Sequence, residues 1–247
     1  MKVSIFTTCL VDEFFPNVGE ATVELLERLG VEVTFNREQT CCGQPAFNTG
    51  YRRAAEALAA RMLELFEYEL QTADYIVAPS GSCTAMVKKH YPQLFQEAES
   101  QRRAKLVAGR VYELSQFLVE VLGVEDTGAS YDGVLTYHDS CHLLRELEVA
   151  SGPRKLIAAV EGAEFRELDH AATCCGFGGT FSVKYPDISA AIAGEKAAMI
   201  ERSGAECVVA CDVSCLMHMR SALAHRGSTV RCLHLAELLS AAATQPQ

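Results

Sequence analysis

Several things this chain lacks narrow what it can be. It has no block of like basic residues: 22 Lys and Arg stand against 32 Asp and Glu, for a formal net charge of −10. A nucleic-acid surface needs clustered cations to neutralise phosphates, so no nucleic-acid partner is expected. The acidity reads as a solvated surface, with a basic redox partner as the alternative. No stretch approaches the roughly 18 consecutive apolar residues of a membrane helix, so no membrane span is expected. The start, Met1-Lys2-Val3-Ser4-Ile5-Phe6, has neither the apolar core nor the small-residue cleavage site of a secretory leader, which makes a cytoplasmic location the default expectation. Finally, neither half of the chain has the Cys-x2-Cys knuckle with which a tight turn presents two sulfurs to one small ion.

What the chain does have is cysteine. Eleven in 247 residues, in a cytosolic chain of this size, point to metal binding or redox chemistry rather than a disulfide framework. Eight of them form two sets: Cys9, Cys41, Cys42 and Cys83, then Cys141, Cys174, Cys175 and Cys215. Subtracting in order gives offsets of 132, 133, 133 and 132. The chain therefore reads as a tandem duplication of a four-thiol constellation, with Thr40-Cys41-Cys42-Gly43 echoed by Thr173-Cys174-Cys175-Gly176. Two repeats follow, residues 1–125 and 133–242, joined by the polar stretch Gly123 to Asp132. Apolar content of 49% is enough for a full core.

Short β-rich runs alternate with helical patterns in both repeats. Strands are expected at Lys2–Thr8, Val31–Phe35 and Ala73–Ala78, then at Gly133–His138, Glu164–Leu168, Glu206–Ala210 and Thr229–Cys232. Helices are expected at Glu20–Leu29, Tyr51–Leu70, Cys83–His90 and Val111–Leu122, then at Pro153–Val160, Asp187–Ser203, Cys215–His225 and Leu233–Ala242. Pro16 and Gly19 punctuate a loop. Tyr112–Leu118 parallels Leu233–Leu239 at an offset of only 121, so the first repeat carries an insertion, assigned to Gln96 to Lys105. The pattern predicts an α/β fold of two pseudo-symmetric halves, each a parallel sheet flanked by helices. All eight repeated cysteines fall at or soon after strand ends, where such sheets bind ligands.

Four thiolates drawn from separate loops suit an iron–sulfur cluster or zinc. Adjacent cysteines send their side chains in different directions, which fits a bulky cluster better than one tetrahedral ion. Zinc and free or disulfide-forming thiols stay open on the chemistry alone.

The spacing Cys-x31-Cys-Cys-Gly followed by a cysteine some 40 residues on, present twice, resembles the cysteine-rich CCG domain of heterodisulfide reductase and of the glycolate oxidase iron–sulfur subunit. Pro79-Ser80-Gly81-Ser82-Cys83, Tyr137 to Arg145 and Val213 to His218 support the resemblance, which covers nearly the whole chain. The short two-repeat form without a ferredoxin domain is similar to the lactate-utilization branch. That resemblance implies an iron–sulfur electron-transfer subunit of a cytoplasmic complex oxidising L-lactate, or another 2-hydroxy acid, to the keto acid. It implies a ferredoxin-containing iron–sulfur subunit and a third small subunit as partners. It also implies one cluster per half on the eight cysteines. The sequence departs from the family at the fifth thiol of heterodisulfide reductase: Ser80 and Asp212 stand there, and Cys211 is one place out of register. An ordinary four-iron cluster or an oxygen-ligated variant is then favoured over a five-thiolate one. A heterodisulfide-type thiol catalyst and a zinc-stabilised interaction module are the alternatives.

The remaining candidates have plain readings beside the chemical ones. Cys207 and Cys232 read as small core residues, whereas Cys211 could swing toward a cluster. His138, Asp139, His142 and Arg145 around Cys141, with His170 before the second pair, could bind a carboxylate or move protons; loop hydrogen bonds and a helix cap from Asp139 or Ser140 are the simpler role. His90 and His218 hold comparable places after Cys83 and Cys215. Gly176-Phe177-Gly178-Gly179 lacks the lysine and hydroxyl of a phosphate loop and reads as room for a cluster. The Met62, Leu63, Leu65, Phe66 stripe reads as core.

Overall fold

Among the described residues, eight short strands make two four-stranded sheets, and every pairing is parallel. The computed structural model describes residues 1–241; Ala242, the last residue of the expected final helix and second repeat, lies outside them. The first sheet holds β1 (Lys2–Ile5), β2 (Glu32–Phe35), β3 (Tyr75–Ala78) and β4 (Val111–Glu113) in the order β2-β1-β3-β4. The second holds β5 (Ser130–Tyr137), β6 (Glu161–Phe165), β7 (Cys207–Ala210) and β8 (Arg231–His234) in the order β6-β5-β7-β8. The order is the same in both, as a duplication requires. The chain leaves β1 toward one edge and β3 toward the other, so each sheet has a switch point between its first and third strands. A crevice opens at the carboxyl ends there.

Several boundaries differ from the sequence pattern. Val111–Glu113 is a strand, not the start of a helix; its three residues are too few to show an alternating period. Pro16 and Gly19 lie inside the helix Pro16–Arg28, because proline is tolerated in a first turn, where its missing N–H is not needed. Cys9 opens a short helix, Cys9–Phe14, instead of closing a strand. β5 begins at Ser130, within the polar stretch expected to link the repeats, and β6 and β8 are displaced by two or three residues. The inserted segment of the first repeat is the helix Ala98–Ala108.

The two halves interlock. Helix Pro16–Arg28 of the first packs on the last helix of the second, Leu235–Ser240, and helix Ser151–Ala158 packs on Leu114–Gln116. One apolar cluster thereby runs through both halves, joining Val3, Leu25 and Phe117 to Leu135, Leu156 and Leu238. Arg28 also donates to the carbonyl of Ser240 at 2.7 Å, a cation on the negative end of the partner helix. Near the pseudo-twofold axis, matching positions touch each other. Ser80 Oγ donates to Asp212 Oδ2 at 3.1 Å; nearby, though not at equivalent positions, the Thr49 and Thr180 hydroxyls share a hydrogen bond of 2.6 Å. Gly81 permits this closeness: a Cβ there would lie 2.7 Å from Leu143 Cβ and 3.3 Å from its backbone.

Behind the axis lie Glu113 and His234, equivalent residues ending β4 and β8, both 0% exposed. Each caps the helix that follows. Glu113 accepts from the Ser115 and Gln116 N–H groups, and His234 Nδ1 accepts from Ala236 N–H. Burial pushes the Glu113 carboxyl up to about 7 and the His234 imidazole down to about 4. Between the ordinary glutamate range and pH 7 the folded chain keeps a proton that the unfolded chain has lost, so Glu113 makes stability fall as pH rises through that window. Replacing Glu113 by Gln keeps the acceptor and removes the titration. Denaturant melts at pH 5 and pH 8 should show the E113Q chain gaining on the parent as pH rises, by roughly 3 kcal/mol. A pH-independent difference would contradict the assignment.

Candidate metal centre

The backbone brings all eight repeated cysteines to one place. They line a single cavity of about 300 Å³ at the carboxyl ends of both sheets, together with Ser80, Ser82, Asp212, Ser214, His142 and residues of both Cys-Cys loops. The sequence implied one site per half; the fold turns the two halves face to face, so the two thiol sets share a cleft. Within each set the burial pattern repeats. Cys42, Cys83, Cys175 and Cys215 are buried, and Cys9, Cys41, Cys141 and Cys174 are half-buried.

Each thiol is placed by an element end. Cys9 and Cys141 begin helices after β1 and β5, and Cys83 and Cys215 sit in the first turns of helices after β3 and β7. Ser80 and Asp212 are the caps of those last two helices: Ser80 Oγ accepts from Cys83 N–H, and Asp212 accepts from Ser214 N–H. The missing fifth thiols thus stand in the structure as N-caps. Gly43 and Gly176 follow the cysteine pairs with φ of +87° and +91°. That turn aims the Gly43 N–H at Cys41 Sγ (3.4 Å) and the Gly176 N–H at Cys174 Sγ (3.3 Å). A Cβ on Gly176 would come within 2.8 Å of the Ser189 carbonyl. Thr8, at φ 67° just before Cys9, and His170, at φ 58° before the second pair, are strained non-glycine positions flanking the thiols.

Sulfur chemistry follows from this crowding. Cys42 and Cys83 sulfurs are 3.5 Å apart. Hydrogen bonds from Cys42 and Cys9 pull the Cys41 thiol down to about 3, while Cys9 and Cys42, which share their protons with it, are pushed up. The second half repeats the arrangement, with Cys174 driven well below the thiol range by Cys141 and Cys175 and those two driven up. Cys215 is held near 6 by the hydrogen bond from Cys175 and by His138. Each set therefore has a cleft thiolate, Cys41 or Cys174, braced by neighbouring thiols, and in the second set Cys215 is acidified as well. Full ionisation of all four needs a cationic group among them, because like charges this close raise one another's pKa.

Other expected residues fall into two groups. His138 is 1% exposed beside the second set, and His142 lines the cleft with Nδ1 3.5 Å from Cys141 Sγ. Arg145 does not line it; its guanidinium donates to the Ala172 carbonyl at 3.0 Å and tethers the loop before the second pair. Asp139 caps nothing: it takes a two-pronged contact from Arg154 at 2.9 and 2.8 Å, and Arg154 also holds Glu167. His90 pairs with Glu146 (2.8 Å) over Phe47, and His218 meets Ser189 Oγ (3.1 Å) beside Phe177. Cys211 is fully buried with its sulfur 3.5 Å from the Tyr137 hydroxyl, and with Cys207 and Cys232 it lies outside the cleft lining.

Lys196 escaped the sequence reading. It is 0% exposed in helix Pro186–Arg202 and donates to the carbonyls of His170 (3.0 Å) and Ala171 (3.2 Å), just before the second cysteine pair. Burial lowers it to about 8, against the pull of Cys175 and Asp139. The buried faces of the two long helices superimpose as Ala55/Ser189, Ala59/Ala193, Met62/Lys196, Leu63/Ala197 and Phe66/Ile200. The first half thus has a methionine where the second has an ammonium. The signal was present as a lysine on an otherwise apolar stripe.

Comparison with known proteins shows the family. The family described as CCG, cysteine-rich domain, matches twice, at residues 3–88 and 135–220. Relatives named lactate utilization protein A align over nearly their whole length. That of Geobacillus sp. (strain WCH70) is 48% identical over 97% of this chain and 99% of its own. That of Geobacillus kaustophilus is 49% identical over 98% and 99%, and that of Bacillus subtilis (strain 168) 49% over 97% and 99%.

The protonation pattern makes a prediction for the metal-free, reduced protein. Pulsed alkylation at pH 7 with peptide mass mapping should label Cys41 and Cys174 first, ahead of the equally exposed Cys9 and Cys141. Labelling of Cys9 ahead of Cys41 would overturn the assignment of the thiolate.

Proposed function

The chain belongs to the CCG cysteine-rich domain family, and on that premise we propose that it is an electron-transfer subunit of a cytoplasmic complex that oxidises L-lactate to pyruvate. The observation that carries the reading is the pair of matched four-thiol sets facing one cleft, a placement suited to passing electrons between two centres. The names of its relatives supply the metabolic setting. The repeats, taken as residues 1–125 and 133–242, each contribute one set.

The donor chemistry fits an iron–sulfur cluster. Each set gathers four sulfurs from three separate chain segments, both sets open on one shared cavity, and backbone N–H groups already point at Cys41 and Cys174. Cys9, Cys41, Cys42 and Cys83 would hold one cluster, and Cys141, Cys174, Cys175 and Cys215 the other. Bound there, a cluster supplies one-electron redox capacity. The protein's own part is to fix the sulfurs, exclude water with the buried members of each set, and tune charge through Gly43, Gly176 and Lys196. A ferredoxin-containing iron–sulfur subunit and a third small subunit complete the complex in this reading. Zinc is the second reading, favoured by the approach of His138, Cys175 and Cys215 to within 4.8 Å of one another. Among the described residues, no helix is long and apolar enough to cross a membrane.

Two experiments test the proposal. Iron and sulfide analysis with electron paramagnetic resonance on anaerobically prepared protein should find iron and acid-labile sulfide, and a signal on reduction. The variants C174S and C175S should each lose about half the iron, and C232S none. Zinc alone, or equal loss from all three, would sink the reading.

Lys196 bears on the balance between the centres. An ammonium beside the second set favours its extra negative charge on reduction, so the second centre should have the higher potential. Replacing Lys196 by Met, as in the first half, should lower the second centre's midpoint potential by on the order of 50 mV and leave the first alone. Redox titration of both signals checks this, and an unchanged second potential would show that Lys196 does not tune the second centre.

A further inference from the structure

The two thiol sets match in sulfur but not in what stands behind them, and the sharpest difference is at the strand ends. Phe6 and His138 are equivalent residues. Each follows the central strand of its sheet, three residues before the first cysteine of its set. Each donates its backbone N–H to the neighbouring strand at 2.9 Å, Phe6 to Val77 and His138 to Val209. Phe6 is 0% exposed and lies edge-on to Phe66, ring centroids 5.2 Å apart, in a wholly apolar cluster.

His138 is just as buried, at 1%, yet neither ring nitrogen has a hydrogen-bond partner. A buried imidazole ordinarily satisfies both nitrogens, so an orphaned one calls for a ligand. A ring nitrogen lies within 4.8 Å of Cys175 Sγ and Cys215 Sγ, and the three donor atoms share that mutual spacing. Donor atoms this close can all reach one centre. Cys175 and Cys215 line the cleft with Cys141 and Cys174, and His138 lies behind them, outside the lining. No such nitrogen exists in the first set, where the equivalent side chain is a phenyl ring.

We propose that His138 is a nitrogen ligand of the second centre, which is thereby a mixed histidine–cysteine site, whereas the first is built from sulfur alone. The inference rests on the reading that the cysteine sets bind a metal group, but does not require that group to be an iron–sulfur cluster. A neutral imidazole in place of one thiolate removes one negative charge from the coordination sphere. That separates the two centres electronically although their cysteines are in register.

The test has two arms. The full-length protein with histidine-selective 15N labelling is examined by pulsed electron paramagnetic resonance after reduction. Direct ligation predicts a strongly coupled histidine nitrogen on one centre only, lost in H138F, which copies the first-half side chain and so preserves packing. The metal-free protein is also titrated with Co2+. The second set should give the absorption of a nitrogen–sulfur site, and H138F should weaken its binding by at least about tenfold while leaving the first set unchanged. The cobalt arm reads ligation even if the natural group proves to be zinc, so failure of the iron–sulfur reading and failure of this one are told apart. The proposal is overturned if wild-type protein shows only weak nitrogen coupling on both centres, or if cobalt spectra of the two sets are alike. Should H138F not fold, the labelled wild-type spectrum alone decides.

Discussion

Mutual repulsion among close-set thiolates is the constraint on which this structure turns. Four sulfurs gathered in a partly buried cleft cannot all ionise unaided, and the metal-free protein meets this by sharing protons. In each set a thiolate, Cys41 or Cys174, is braced by neighbouring thiols and a glycine N–H. That arrangement requires sulfurs from three loops to converge to hydrogen-bond distance. Convergence in turn requires the parallel sheet, whose switch point delivers the loops after β1, β2 and β3 to one crevice. The left-handed glycines after each cysteine pair complete it by turning the backbone N–H back onto sulfur.

Duplication supplies the second crevice, and the interlocked helices make the two crevices one. Pro16–Arg28 packs on Leu235–Ser240 rather than on its own half alone, so the shared apolar cluster fixes the angle between sheets. Ser80 and Asp212 then meet across the axis, while each also caps its own helix. Those two side chains link helix start, half-to-half contact and cleft wall, which accounts for oxygen donors where the five-thiolate pattern has sulfur.

Symmetry in the backbone has left the side chains free to diverge. Phe6 and Met62 back the first set with apolar surface; His138 and Lys196 back the second with nitrogen. Burying such groups is costly without compensation, and the Lys196 ammonium is compensated by two carbonyls and by the nearby thiolates. The same sulfur framework therefore offers two electrostatic environments within one cleft.

The cysteine offsets alone determined the duplication and the four-thiol sets, and the strand–helix alternation determined the α/β class. A covalent donor set recurs in sequence as rigidly as in space, and strand–helix alternation leaves a periodic trace. Short elements left little trace: β4 has three residues, and Pro16 reads as a breaker although it starts a helix. Sequence also could not tell that both sets face one cleft, because that depends on how helices of different halves pack, roughly 200 residues apart along the chain. For the same reason the separation of Arg145 and Cys211 from the cleft, and the arrival of Lys196 beneath it, were decided only by the tertiary structure. Proximity along the chain put Arg145 near Cys141, whereas the helix geometry turned its guanidinium to the Ala172 carbonyl.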